Sequence, residues 1–198
     1  MKKILTFLVF ISLTAATPSF AQFQANVRAE GNRLIFSIRP NANVSQIGFS
    51  TIEFFLRYPA ATAAFTYGDL IENTTNFPGI GNFKVVAEPQ VGGFKIDHFI
   101  YTAPEVITPK KDFTQNVIYD ILSVDLIGIP FVIPEMQFVH KDNEDPFYLV
   151  ITDGIGQDAR SGTSNTLFFP STTTEGTGAN TIYKMSLANV PVPVKFLS

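Results

Sequence analysis

Alternation of apolar and polar residues with a period of two is the feature that most constrains this chain. Between Arg33 and Pro40, the residues Leu34, Phe36 and Ile38 fall in one phase, opposite charged and polar residues. The same rhythm recurs in two further segments, Ser50–Tyr58 and Phe94–Thr102. Side chains alternate across a strand, so each segment is predicted to be a β-strand with one buried face. Helical periodicity is nearly absent.

Further segments rich in Phe, Val, Ile and Thr are also predicted as strands. They are Phe23–Ala29, Ala63–Tyr67, Phe83–Glu88, Phe113–Leu126, Glu135–His140, Phe147–Thr152, Thr166–Phe169 and Thr181–Leu187. Within them, Val117–Leu126 is apolar on both faces apart from Asp120, Ser123 and Asp125, which suits a strand in the middle of its sheet. A tight hairpin turn is expected at Gly31, and loops are expected at residues 78–82 and at Gly92-Gly93. The predicted fold is all-β: a two-sheet antiparallel β-sandwich of jelly-roll or Greek-key type.

Three segments between the predicted strands look like loops. Pro59–Ala64 is rich in alanine but short, and it is expected to form a loop or a single turn. Residues 141–146 form a charged turn, and residues 171–180 are a Ser/Thr/Gly stretch that is expected to be mobile.

The two ends of the chain differ in composition from its middle. Lys2 and Lys3, an apolar stretch and a small-residue tail predict a signal peptide over residues 1–21, cleaved after Ala21. Residues 22–188 are expected to form the β-sandwich domain. Proline alternates with valine near the end, so residues 189–198 are predicted to be a stiff linker or an edge strand. No transmembrane segment is expected after signal cleavage, because the remaining apolar runs are too short.

The composition excludes several classes of function. The chain has no cysteine, which excludes disulfides, thiol catalysis and thiolate metal sites. Its formal net charge is −3, and loss of the two signal-peptide lysines makes it more acidic. Nucleic-acid binding calls for a basic stripe, so no nucleic-acid partner is expected.

Several stretches together resemble a known family. The segment Val192–Ser198 looks like the linker that precedes a type IX secretion sorting domain in Bacteroidetes proteins. The stretches Ile52–Pro59, Phe113–Pro130 and Phe147–Gly154, with the following residues up to Asp158, resemble the cohesin-like sandwich modules of such proteins. The resemblance implies a secreted or cell-surface module with a binding or structural function. The sorting domain itself is absent from the sequence, which leaves a periplasmic location open.

The residues give little sign of catalysis, and the protein is predicted not to be an enzyme. His98 lies in phase with apolar residues, which favours a buried histidine with a hydrogen-bond partner over a general base. His140 lies beside an acidic turn, without a second histidine nearby. No nucleophile elbow, phosphate loop or dinucleotide fingerprint occurs. A pair of carboxylates for glycoside hydrolysis leaves no signature, so that alternative stays open.

Calcium is the metal that the sequence suits best, although no cofactor is expected. Carboxylates in two turns, Asp142 with Asp145 and Asp153 with Asp158, offer the oxygen ligands that hard cations prefer. Neither turn has the EF-hand spacing. Aspartate is also an ordinary turn former, which is the favoured interpretation.

Five residues are candidates for ligand binding, because aromatic rings lie beside charges: Glu53, Phe55 and Arg57 in one segment, and Phe99 and Tyr101 in another. If the face of Phe99 and Tyr101 is exposed, it pairs aromatic rings with the charges of Lys95 and Asp97. If the second sheet covers that face, the charges would point to an edge, and the sequence leaves both possibilities open.

These observations give three hypotheses on function. The first is a secreted non-catalytic module that docks an extracellular protein or glycan, or that has a structural function. The second is a carbohydrate-binding module of a polysaccharide-degrading system, which would bind a polysaccharide. The third is a small secreted hydrolase.

Overall fold

The computed structural model describes residues 23–77, 80–102, 110–129, 135–141, 148–151, 157–158, 169, 173–175 and 182–186. Over these residues the regular structure is entirely β-strand. In chain order the strands are β1 (Phe23–Glu30), β2 (Arg33–Pro40), β3 (Val44–Ile47), β4 (Phe49–Pro59), β5 (Thr66–Glu72), β6 (Lys84–Val91), β7 (Phe94–Thr102), β8 (Lys111–Phe113), β9 (Tyr119–Ile127), β10 (Gln137–Lys141), β11 (Tyr148–Ile151), β12 (Gln157–Asp158), β13 (Thr173–Glu175) and β14 (Ile182–Ser186).

One sheet has four antiparallel strands in the order β1-β2-β9-β5. The hairpin between β1 and β2 turns at Gly31, whose φ of +66° is one that glycine adopts without strain. Strand β9 lies between β2 and β5, which confirms the prediction of a strand in the middle of its sheet, although its outward phase carries Asp120, Ser123 and Asp125. A register shift against β2 after Phe36 lets both Ile121 and Leu122 of β9 be buried.

The larger sheet has eight strands and is organised around β4. Along one edge, β4 pairs with β7 over its length from Thr51 to Pro59. Along the other edge it pairs with two strands in succession: β11 near its start and β10 near its end. Beyond these, β6 joins β7, β12 joins β11, and β14 and β13 follow β10. A separate pair, β3 with β8, forms a small third sheet.

Aromatic rings fill the space between the two main sheets. Phe36 of β2 packs against three rings of the larger sheet, with centroid distances of 4.7 Å to Phe99, 5.1 Å to Phe54 and 6.5 Å to Phe138. All four rings are fully buried. Because the contacts join the inner faces of two antiparallel sheets, the fold is an all-β antiparallel sandwich, and the predicted fold class is confirmed.

The loop after β5 closes one side of the sandwich. Its residues Phe77, Ile80 and Phe83 are buried in the same core cluster. At one end of the molecule, a second group of rings packs at centroid distances of 5.3–6.0 Å: Phe23, Phe49, Phe77 and Phe113.

A charged group lies inside this apolar core. The carboxylate of Asp97 is 6% exposed and accepts hydrogen bonds from the hydroxyls of Tyr58 at 2.8 Å and Tyr67 at 2.5 Å. Burial, followed by the nearby Asp97 carboxylate, raises the pKa of the Tyr67 hydroxyl. Burial and the hydrogen bond to Asp97 likewise raise that of Tyr58. Both hydroxyls therefore stay protonated as donors, and they compensate for the desolvation of the carboxylate.

The structure corrects four sequence predictions about strands and faces. The buried phase of β7 is Asp97, Phe99 and Tyr101 rather than the phase of His98, because the two tyrosine hydroxyls allow Asp97 to face inward. The long strand predicted over Phe113–Leu126 is divided, since a turn follows Phe113 and β9 begins at Tyr119. The strand predicted over Ala63–Tyr67 begins at Thr66 and runs to Glu72. Within the stretch predicted as mobile, Thr173–Glu175 pairs with β14.

Some predictions fall outside the described residues. They concern the signal peptide, the segment 189–198, most of the strand predicted over Thr166–Phe169, and the acidic turn 142–146.

Candidate functional site

The outer face of the four-stranded sheet carries a network of ordered charges. Arg28 on β1 makes two hydrogen bonds to Asp120 on β9, at 2.7 and 2.8 Å. Between them lies Ser37 of β2, which accepts a bond from Arg28 and donates one to Asp120. Arg28 also contacts Glu30 at 3.2 Å. The network therefore spans three strands and holds the guanidinium of Arg28 in one orientation.

A second ion pair lies farther along the same face. Arg33 on β2 donates from Nε and Nη2 to the two carboxylate oxygens of Asp125 on β9, at 2.7 and 3.1 Å. These side chains are 42% and 36% exposed, so this pair is more open to solvent than that of Arg28. Its second terminal nitrogen, Nη1, makes no hydrogen bond within the described part of the chain, and it is available to an incoming group.

The pKa values of both carboxylates reflect these contacts. The hydrogen bonds from Arg28 lower the pKa of Asp120 below its usual 3.8, against the opposing effect of burial. The hydrogen bonds from Arg33 do the same for Asp125. Both carboxylates therefore remain charged at and below neutral pH.

Exposed apolar side chains accompany the charges. Ile71 of β5 and Ile127 of β9 are each 52% exposed. Beside Ile71, a shallow depression of about 340 Å³ opens between β2, β9, β5 and the loop that follows β5. Its lining is mainly polar and includes three aliphatic residues: Arg33, Ile35, Ile71, Glu72, Asn73, Thr74, Thr75, Asp120, Leu122 and Ser123.

The outer face of the larger sheet holds three of the sequence-predicted ligand residues. Glu53, Phe55 and Arg57 lie on the same face of β4, but Phe55 and Arg57 are only 3% and 4% exposed. The guanidinium of Arg57 lies 4.3 Å from the centroid of the Phe94 ring and is bonded to Gln137 and Glu175. The charge and the ring are already engaged within the chain, so this face offers few free groups at β4.

His98 lies beside this cluster, between two carboxylates. Its ring stacks on Phe55 with a centroid distance of 4.1 Å, and Nδ1 is 3.2 Å from Glu88. Nε2 is 3.2 Å from Glu53 but poorly aligned for a hydrogen bond, so the contact is electrostatic. Burial lowers the pKa of His98, and the adjacent Glu53 and Glu88 outweigh this and raise it above 6.5. The histidine is mostly buried and has partners, as the sequence interpretation favours.

Phe99 and Tyr101 lie on the opposite side of the larger sheet, in the core. Phe99 is fully buried and Tyr101 is 5% exposed, so neither ring reaches solvent as a platform. Of the two possibilities for this strand phase, the structure places it against the second sheet. The five predicted ligand residues are thus not brought together on one surface.

The calcium candidates are mostly outside the described residues. Asp142, Asp145 and Asp153 are not described, and Asp158 is described only as a backbone position in β12. Among the side chains that the structure describes, no three His, Asp or Glu residues meet in a way that could hold a metal ion. The described part of the chain likewise contains no helix suited to crossing a membrane.

Comparison with known proteins gives one structural likeness. No protein-family model matches the chain, and no curated protein matches it. A solved chain from the crystal structure of a CaDoc0917 variant in complex with CaCohA2 at pH 5.5 is similar, with 14% identity and a TM-score of 0.35. The match covers 69% of this chain and 91% of the other.

Sequence reasoning missed the residues of the open face. Arg28 and Asp120 are 92 positions apart, as are Arg33 and Asp125. The only available signal was a charge in the outward phase of each predicted strand, and that signal does not say which strands are neighbours.

Proposed function

We propose that this protein is a non-catalytic protein-interaction module that docks its partner on the outer face of the four-stranded sheet. One observation carries the proposal. That face combines pre-ordered arginine–aspartate pairs with two half-exposed isoleucines and a shallow depression. The outer face of the larger sheet, in contrast, has its aromatic and cationic groups at β4 buried within the chain.

The energetic reason is that the charged side chains are already immobilised before a partner binds, so that binding costs less side-chain entropy. A free arginine loses about 0.5–1.5 kcal/mol of side-chain entropy when an interface immobilises it. Arg28 and Arg33 each already donate two hydrogen bonds to an aspartate, so most of that loss has occurred on folding. Arginine and exposed apolar groups also suit the centre of a protein interface, where arginine is enriched.

The sequence supports a location outside the cytoplasm. The signal-peptide pattern of residues 1–21 and the resemblance of the C-terminal segment to a type IX secretion linker both favour a secreted or cell-surface module. The cohesin-like stretches agree with a binding function. Amino-terminal sequencing of the exported protein tests the location, with Gln22 expected as the first residue.

Paired variants test the docking face. Ile71→Asp places a charge on the face, and Ile118→Asp is the matched control, since Ile118 is 53% exposed in the turn before β9. The wild type and both variants are used to capture proteins from the cell-surface fraction and culture medium of the source organism. We expect a partner that the wild type and Ile118→Asp retain and that Ile71→Asp loses.

Folding of each variant is checked by circular dichroism, so that lost capture reports on binding. Capture of the same partner by all three proteins would contradict the proposed face. Turnover of a glycoside or ester substrate that is abolished by one carboxylate or serine substitution would contradict the non-catalytic assignment.

A second candidate function is carbohydrate binding, and the depression is the observation that favours it. Three residues that carry hydroxyls, Thr74, Thr75 and Ser123, line the depression together with apolar residues, a composition that suits a polyhydroxylated ligand. Ser123→Phe fills the depression. Saturable binding to an insoluble polysaccharide that this substitution removes, and that Ile118→Asp retains, would favour this candidate over the first.

A further inference from the structure

Charges on the outer face of the four-stranded sheet are separated by sign. Strands β1 and β2 carry three arginines, Arg28, Arg33 and Arg39, with Glu30 as the one carboxylate. Strand β9 presents Asp120 and Asp125 on this face, and the edge strand β5 adds the exposed Asp69; Glu72 of β5 lies opposite the buried Leu122 and accepts a hydrogen bond from the amide of Phe83. The face therefore has a cationic half and an anionic half, which meet where β2 lies beside β9.

From this separation we propose that the partner of the face is a second copy of this chain, bound face to face about a two-fold axis. This inference rests on the proposed docking face and names its occupant. A two-fold axis parallel to the strands, between β2 and β9, places the cationic half of each copy over the anionic half of the other. The same patch then serves both copies, which is the condition for a closed dimer.

The pair formed by Arg33 and Asp125 would lie beside the two-fold axis, at the end of the face where β2 begins. These residues are directly opposite in the register of β2 and β9, so rotation about the axis places Arg33 of each copy over Asp125 of the other. The intramolecular pair uses Nε and Nη2 of Arg33 and leaves Nη1 for the second copy. Two arginines and two aspartates would form a quartet, in which each charge meets opposite charges.

The size of the face determines how stable the proposed dimer is expected to be. Four strands spaced about 4.8 Å apart, with about seven residues of 3.3 Å each, give roughly 450 Å² of projected area per copy. Relief from the side chains increases the buried area somewhat, to the low end of specific interfaces. We therefore expect a weak dimer that forms in a concentration-dependent manner and weakens as salt screens the charges.

The test is sedimentation of the full chain over a wide range of concentrations, compared with two variants. Arg33→Glu places like charges opposite each other in the quartet, and we expect the dimer to dissociate about tenfold more readily or not to form. The exchanged variant Arg33→Asp/Asp125→Arg restores both the pair within the chain and the quartet between identical copies. It is expected to self-associate as the wild type does.

Mixing provides the decisive measurement. In a mixed dimer of wild type and exchanged variant, arginine faces arginine and aspartate faces aspartate. Chains labelled with donor and acceptor dyes should give energy transfer within each protein and little between the two. Equal transfer in the mixture would overturn the inference, because it would place the contact elsewhere.

Two further outcomes separate this inference from the proposed function. A wild type that stays monomeric at every concentration would overturn the two-fold dimer. If it still captured a partner that Ile71→Asp loses, the docking face would stand without its proposed occupant. A dimer that Arg33→Glu and Ile71→Asp both weaken would support the two together.

Discussion

Removal of one hydroxyl from the core tests how the sandwich holds a buried carboxylate. In Tyr67→Phe the ring keeps its packing against Phe65 and Phe99, and only the hydrogen bond to Asp97 is lost. Hydrogen bonds to charged groups contribute about 1.5–3 kcal/mol, and Asp97 is 6% exposed, so water cannot replace the lost donor readily. We expect Tyr67→Phe to lower the free energy of unfolding by about 2 kcal/mol.

Urea denaturation followed by circular dichroism measures this change, since the chain has no tryptophan. Tyr101→Phe is the matched control. Tyr101 is 5% exposed, and its hydroxyl makes no hydrogen bond within the described residues, so the free energy of unfolding should change by less than about 0.5 kcal/mol. In an Asp97→Asn background, Tyr67→Phe should cost markedly less, because the charged acceptor is gone.

The same cluster predicts behaviour at alkaline pH. Folding raises the pKa of both Tyr58 and Tyr67 above the ordinary 10.0, so the stability that they contribute is complete below pH 10. It is lost as the pH rises further, because the unfolded chain ionises first. Equal effects of Tyr67→Phe and Tyr101→Phe, with the alkaline decline unchanged, would refute this account of the buried carboxylate.

Three other substitutions follow from the packing, the ion pairs and the backbone. Phe36→Ala removes a fully buried ring that contacts three others, and it should lower the free energy of unfolding by about 3–5 kcal/mol in urea denaturation, with Phe36→Leu clearly milder. The hydrogen bonds from Arg28 lower the pKa of Asp120, so the pair stabilises the fold above about pH 3.8, and this stabilisation is lost as the pH falls further. In Asp120→Asn the free energy of unfolding should therefore decline less steeply at acidic pH. Gly128→Ala should lower the melting temperature, because Gly128 has a φ of +102° and a Cβ would lie 3.3 Å from the carbonyl oxygen of Ala64. Gly31→Asn is the control and should be tolerated, since Gly31 has a φ of +66° and nothing lies within 4 Å of an added Cβ.

The sequence predicted the fold class because both main sheets obey the two-residue rhythm. Strand β2 is an example, since Leu34, Phe36 and Ile38 are all buried as their phase requires. The two-residue alternation gave the wrong buried face for β7, because the charge of Asp97 indicated that the phase of Asp97, Phe99 and Tyr101 faces solvent. Asp97 can face the core because the hydroxyls of Tyr58 and Tyr67 donate hydrogen bonds to its carboxylate. The two tyrosines are 39 and 30 positions away along the chain, so a local pattern does not reveal them.

Short strands were missed for a different reason. Strand β3 contains Ser45 and Gln46, and Gln46 has a φ of 58°, so neither composition nor alternation marks it as a strand. It is held instead by pairing with β8 and by hydrogen bonds from Gln46 to Asp112. Such interactions between distant segments do not appear in a local pattern.

The candidate site was the least predictable part. The sequence singled out Phe55 and Phe99 because rings and charges alternate there, and both rings are buried. The open face depends on which strands are neighbours. That order places β9 beside β2, although their first residues, Tyr119 and Arg33, are 86 positions apart.

The divided edge of β4 has a consequence for how the molecule opens. Because β10 and β11 each bond to a different part of that edge, a fluctuation that frees one of them leaves β4 attached to the other and to β7. Amide protons of β4 should therefore be among the slowest in the protein to exchange with deuterated water, while those of β10 and β11 exchange independently of each other. Either β10 or β11 can thus detach locally while the pairing of β4 with β7 is kept.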